Sequence, residues 1–199
     1  SLKSQGEKAS NYVFKQLDDA NKWIAARAVW LLPYIGSQGI DNCIKMLEDE
    51  NSDERVVAYR SLRRAGHDMI PHARRMCKDE SPQVRREIAL SLRDLPAEQT
   101  KDIFIELAKR CDTTDKNSLE AIGLGAAKQE SIIWKAIKNE LHPDSSDKWS
   151  DHFARLTWRL WGAASVNDLK ARITNNSLPL EKRKFALESL AFIDDESAS

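Results

Sequence analysis

The chain has 199 residues, 41% hydrophobic and 31% charged, with 31 basic side chains balanced by 31 acidic ones. That share of apolar residues builds a packed core and excludes a disordered chain. The zero net charge leaves no whole-chain field directed at nucleic acid or membrane, so any electrostatic site is local. The longest apolar runs, such as Ala25 to Leu32 with Arg27 inside, fall far short of the ~20 residues that span a bilayer.

Along the chain, the polar start from Ser1 to Ser10 lacks the apolar stretch of a secretory signal. A weak copy of a helical pattern follows at Ile24 to Leu31, and then a second helix with Ile40, Cys43, Ile44 and Leu47 at helical spacing. Sliding the chain by thirty places superimposes Asp49-Glu50 on Asp79-Glu80, Arg55 on Arg85, and Ser61-Leu62-Arg63 on Ser91-Leu92-Arg93. Each copy opens with a polar turn, "EDENSDE" or "KDESPQ", that supplies N-cap candidates Ser52, Asp53 or Ser81, with Pro82 in the first helical turn. The first helix then carries Val57, Ala58 and Leu62, or Val84, Ile88, Leu92 and Leu95, and stops at Gly66 or Pro96. The second helix carries Ile70, Ala73 and Cys77, or Ile103, Phe104 and Leu107.

Further copies start at Asn117 to Leu124 and Phe153 to Leu160, and Arg183, Ala186, Ser189 and Leu190 restore the full spacing near the end, making about six repeats. Residues 141–150, "LHPDSSDKWS", break the period with a longer loop. Helices are then expected over Trp149 to Trp161, Val166 to Ile173 and Leu180 to Ile193. Two short amphipathic helices per thirty residues bury their apolar faces only by stacking on neighbours. The expectation is one all-α domain over 1–199, a right-handed α-α superhelix whose last repeat is incomplete, so that the natural protein continues beyond Ser199. It is also expected to be a monomer.

The line "ESPQVRREIALSLRDLP", with Val84, Arg85, Arg86, Ala89, Leu92 and Pro96, resembles HEAT-like repeats, including the short-period bacterial type of the phycobilisome lyases. Together with "DKNSLEAIGLGAA" and "LPLEKRKFALESLAFIDD", it resembles the repeat region of large bacterial cell-envelope proteins, in which such repeats join a sorbosone-dehydrogenase-like propeller and a c-type cytochrome. The resemblance runs from about Asn21 to Asp195. It implies a periplasmic or envelope spacer role, and this chain carries neither the propeller nor a Cys-x-x-Cys-His.

Asp49 and Arg55, echoed by Asp79 and Arg85, read as repeat grammar, with the aspartate capping the turn and the arginine tying it to the next repeat. Leu62, Leu92, Arg183 and Leu190 complete that structural set. Between Arg55 and Arg93, ten basic residues face four acidic ones. Most of the arginines there fall on first helices, whereas His72, Arg74, Arg75 and Lys78 fall on a second helix expected to line the concave face. Of the six tryptophans, Trp149, beside the loop, is the one expected to be exposed to a partner. Cys43, Cys77 and Cys111 form no Cys-x-x-Cys pair and read as small core residues. The four histidines share no triad or metal-ligand spacing; His142 and His152, with Asp144, Asp147 and Asp151, are the nearest to a metal set. Gly123 and Gly125 in "AIGLGAA" follow no strand and read as close-packing positions.

The function expected is therefore a non-catalytic scaffold that needs no cofactor and binds a protein partner or neighbouring domains. The runner-up is a nucleic-acid-binding domain resembling HEAT-like DNA glycosylases, and a third reading is a tetrapyrrole-handling lyase.

Overall fold

A computed structural model describes residues 7–142, 144–194 and 196, with side chains from residue 10 onward. The first residues of the polar start, Pro143 of the predicted loop, Asp195, and Ser199, on which the expectation of an unfinished repeat rests, lie outside this set. All regular structure among the described residues is helical. The chain packs as two compact units, Ser1–His72 and Ala73–Ser199.

The first unit holds α1 (Glu7–Lys15), α2 (Lys22–Leu31), α3 (Ser37–Lys45), α4 (Ser52–Arg64) and the start of α5 (Ile70–Met76). Short 3-10 turns, Leu32–Tyr34 and Met46–Glu48, prolong α2 and α3. The polar turns are built from side chains that accept from the backbone two residues ahead. Asp19 accepts from the Asn21 N–H at 2.7 Å and Asn21 from the Trp23 N–H at 3.0 Å; thirty residues on, Asp49 accepts from Asn51 at 2.8 Å and Asn51 from Asp53 at 2.9 Å. The N-cap of α4 is thus Asn51 and neither Ser52 nor Asp53. The turn at Asp49 holds Asn51 extended (φ −79°, ψ 117°), which aims its oxygen at the unbonded N–H groups of the first turn.

On α4 the buried face is Val56, Tyr59 and Leu62, each at most 4% exposed, whereas Val57 sits half-buried at its edge. The buried Ser61 hydroxyl donates to the Val29 carbonyl at 2.9 Å, so α2 and α4 meet through a satisfied polar contact inside an apolar interface. Gly66 has φ +84°, with its N–H on the Arg63 carbonyl and that of His67 on the Leu62 carbonyl. This Schellman closure requires the left-handed conformation that glycine adopts without a Cβ penalty.

The second unit holds the end of α5, α6 (Pro82–Ser91), α7 (Ala97–Arg110), α8 (Lys116–Gly125), α9 (Glu130–Leu141), α10 (Asp151–Leu160), α11 (Val166–Thr174) and α12 (Leu180–Ala191). First helices pack on first helices, α6 on α8 on α10 on α12, while α7 packs on α9 in a second layer. The all-α stacking of helix pairs expected from the repeats is the architecture observed. Pro96 is the residue that starts α7 and not the stop of α6, which ends at Ser91. Gln129, from the next repeat, closes that corner: its amide donates to the Leu95 carbonyl at 2.8 Å and accepts from the Ala97 N–H at 2.5 Å. Ser81 stands at the N-cap of α6 without a side-chain bond, and Pro82 follows in the first turn. Where α8 crosses α6, a Cβ on Gly125 would strike the Ala89 carbonyl, and one on Gly123 would strike the Arg159 guanidinium.

Trp149 is 2% exposed, contrary to the expectation of an open platform. Its ring sits edge-on to Phe153 at 4.9 Å and to Trp134 at 6.1 Å, because the loop, with its own 3-10 turn at Ser146–Lys148, folds back over the start of α10. Proximity to a polar loop says nothing of burial when an aromatic cluster is there to receive the ring. Among the tryptophans, Trp23 (71%) and Trp161 (40%) are the ones most open to solvent.

Candidate interaction surface

The second helices of the second unit carry a ladder of ion pairs, each joining one repeat to the next. Arg74 at the end of α5 meets Asp102 of α7 at 2.8 Å and the Gln99 carbonyl at 3.2 Å. Lys109 of α7 meets Glu140 of α9 at 2.9 Å and Glu106 at 3.1 Å, and Lys138 of α9 meets Asp168 of α11 at 2.6 Å. The spacing has a simple origin: residues near thirty apart lie at the same height on successive second helices, so opposite charges there face each other across the groove. The first two pairs, with Cys77, Lys78 and Ile105, line an open depression of about 350 Å³. The hydrogen bonds that Lys109 donates to Glu140 and then to Glu106 raise its pKa. Burial first, and then the Glu106 carboxylate, push the Cys77 thiol up, so it stays protonated and is a poor nucleophile at neutral pH.

Of the positions singled out in the sequence, Arg74, Arg75 and Lys78 are exposed in this unit, and Arg74 is held by Asp102. His72 is half-buried and ends the first unit. Trp149 lies in the core. Arg55 donates to the Asp49 and Glu50 carbonyls at 2.7 and 3.0 Å, while Arg85 donates to those of Asp79 and Glu80 at 2.6 and 2.9 Å and to that of Arg110 at 3.3 Å. These guanidinium groups therefore hold turn carbonyls, and the Asp79 carboxylate accepts from the Ser81 N–H at 2.8 Å. Arg183 donates to the Ile173 carbonyl at 2.8 Å. Leu62, Leu92 and Leu190 are buried.

The first-helix layer has charge pairs of its own. Arg86 meets Asp115 at 3.2 Å, and Arg159, only 5% exposed, meets Glu120 at 2.9 Å. Sequence inspection missed Arg159 and Arg172, both buried. The available signal was register: Leu156 and Leu160 flank Arg159, and Leu169 and Ile173 flank Arg172, at spacings that place each arginine on or beside a core face.

The polar residues near the loop are dispersed. His142 Nε2 lies 3.0 Å from the Ser150 hydroxyl, whereas His152 Nε2 lies 2.9 Å from the Ala108 carbonyl oxygen and therefore donates to it. No group of three or more His, Cys, Asp or Glu placed to hold a metal is found among the described residues. No helix of the described residues is long and apolar enough to cross a membrane.

Fold and surface together define an all-helical repeat scaffold. A family profile described as HEAT repeats matches residues 40–123, so this stretch is similar to HEAT repeats. No curated protein matches the chain.

Proposed function

We propose that this protein is a non-catalytic scaffold that presents the second-helix face of its second unit to a protein partner. The observation that carries the proposal is the open depression around Arg74, Lys78, Asp102, Ile105, Glu106 and Lys109, in which charges of both signs alternate beside apolar surface. Such mixed patterning suits a protein surface, since alternating charges fix register and reject wrong partners. Phosphate backbones call instead for unneutralised cations, and here Arg74, Lys109 and Lys138 each hold a carboxylate. The resemblance to envelope repeat proteins extends the reading to a spacer within a larger cell-envelope protein.

A photo-crosslinking side chain at Ile105, in the full-length protein in its own cells, tests this. The crosslinked partner, purified, should bind the parent chain and lose affinity for the Lys78→Glu, Glu106→Lys double variant. Tight duplex-DNA binding at physiological salt, abolished by Arg74→Glu with Arg75→Glu, would replace the scaffold reading with the nucleic-acid one.

A further inference from the structure

Away from that face, α10, α11 and α12 line a half-open cavity of about 320 Å³ whose walls include two arginines of unusual standing. Arg172 is 2% exposed. Its Nη1 donates to the Ser146 carbonyl and its guanidinium lies over the Trp149 ring at 5.1 Å, but no carboxylate of the described residues is within ion-pair distance. Asp151 and Asp147 act on it only from further off, and burial lowers its pKa. A buried guanidinium with five donors and one hydrogen-bonded carbonyl is costly unless something else meets its charge. Arg155, exposed on the next turn of α10, likewise has no acidic partner among the described residues.

The acids that line the same cavity are already engaged. Asp151 pairs with Lys182 at 3.1 Å, and Glu181 with Lys184 at 3.4 Å. Two arginines therefore share the cavity without a counter-ion, while Ala154, Pro179 and Phe185 supply an apolar wall. The planar guanidinium fork matches a carboxylate in two-point geometry, and the volume lies at the small end of ligand sites. We infer that this cavity binds a carboxylate bearing a short apolar substituent, held between Arg172 and Arg155 with its substituent against Phe185. That chemistry comes either from the carboxy-terminal residue of a partner peptide or from a free short-chain acid.

The test is isothermal titration of the folded chain with hexanoate, with an acetylated tetrapeptide ending in leucine, with the same peptide as its C-terminal amide, and with inorganic phosphate. In parallel, the Nε–Hε resonance of Arg172 is followed by NMR. Saturable binding of hexanoate or the free-acid peptide, with a shift of the Arg172 resonance, is expected; which of the two binds identifies the source. The amide and phosphate should bind at least about tenfold more weakly, as the loss of one charge-assisted hydrogen bond implies. Arg172→Lys should weaken binding to a similar degree, and Arg155→Gln, at a surface position, should do so with the fold untouched. Equal binding of acid and amide, equal binding of phosphate, full affinity in Arg155→Gln, or no saturation by either carboxylate at millimolar concentration would each overturn the assignment.

Discussion

Replacing Gly125 with alanine sets helix propensity against packing. In an open helix the change would stabilise by about 1 kcal/mol. Here the new methyl meets the Ala89 carbonyl of α6, with the Phe104 ring close behind. A carbonyl within a helix cannot rotate away, so the methyl must push α8 off α6 and loosen the contacts around Ile88 and Ile122, which are 0% and 3% exposed. Overpacking costs typically 1–3 kcal/mol, and a clash with backbone belongs at the upper end, which leaves a net loss of roughly 2 kcal/mol after the propensity gain. With a urea slope of about 2 kcal/mol/M, the midpoint should fall by about 1 M. Gly123→Ala is the internal comparison, because its methyl meets the Arg159 side chain and no backbone atom among its nearest neighbours, so it should cost less, up to the strength of the displaced Arg159–Glu120 pair. A Gly125→Ala midpoint at or above that of the parent would refute the close approach of α6 and α8.

Asn51→Ala removes the side-chain cap of α4 and should cost about 1 kcal/mol in urea unfolding, whereas Ser52→Ala, one residue inside the helix, should cost much less. Burial raises the Cys43 and Cys111 thiols to about 11 and about 12, so a disulfide-exchange reagent at neutral pH should label the native chain far more slowly than the urea-unfolded one. Rapid native labelling of Cys43, which is 0% exposed, would contradict its burial. Burial, then the charge of His152, lowers the His142 pKa below its ordinary 6.5. The unfolded chain therefore takes up this proton first, and the histidine's contribution to stability, complete above that pH, is lost as pH falls through the folded-state value. Asp112, Asp115 and Asp147, lowered chiefly by hydrogen bonds from Thr114, Ser118 and Ser145, act in the same direction at lower pH: their contribution is lost as pH falls through their depressed values. An NMR titration of the His142 ring, together with urea midpoints taken across that pH range, checks the sign.

Much of the molecule was legible in its residues. The thirty-residue echo of Asp49 in Asp79, of Arg55 in Arg85 and of Leu62 in Leu92 follows from a physical necessity, since each repeat must present the same apolar stripe and the same turn to its neighbour. Both sets of residues do so here. The N-cap of α4 was misplaced by a single residue because Asn51, Ser52 and Asp53 are all capping types. Only the turn at Asp49 selects among them. Arg74 was legible as a second-helix residue, but its pairing with Asp102 was not, because that contact spans two helices and 28 residues.

Local periodicity, which acts over a few residues, fixed most of the helices and their amphipathic faces. Three-dimensional packing decided which polar residues those faces would take in. Trp149 follows a stretch of proline, aspartates and serines and reads as surface, yet Trp134 and Phe153 form an aromatic pocket that draws it inside. The register of Leu169 and Ile173 sets Arg172 beside a core face, but only packing carries it under the loop, over the same tryptophan and to the cavity beside α12. Burial of this kind depends on side chains of other helices, Trp134 lying 15 residues from Trp149 and Trp149 lying 23 from Arg172, and no short window of sequence contains them.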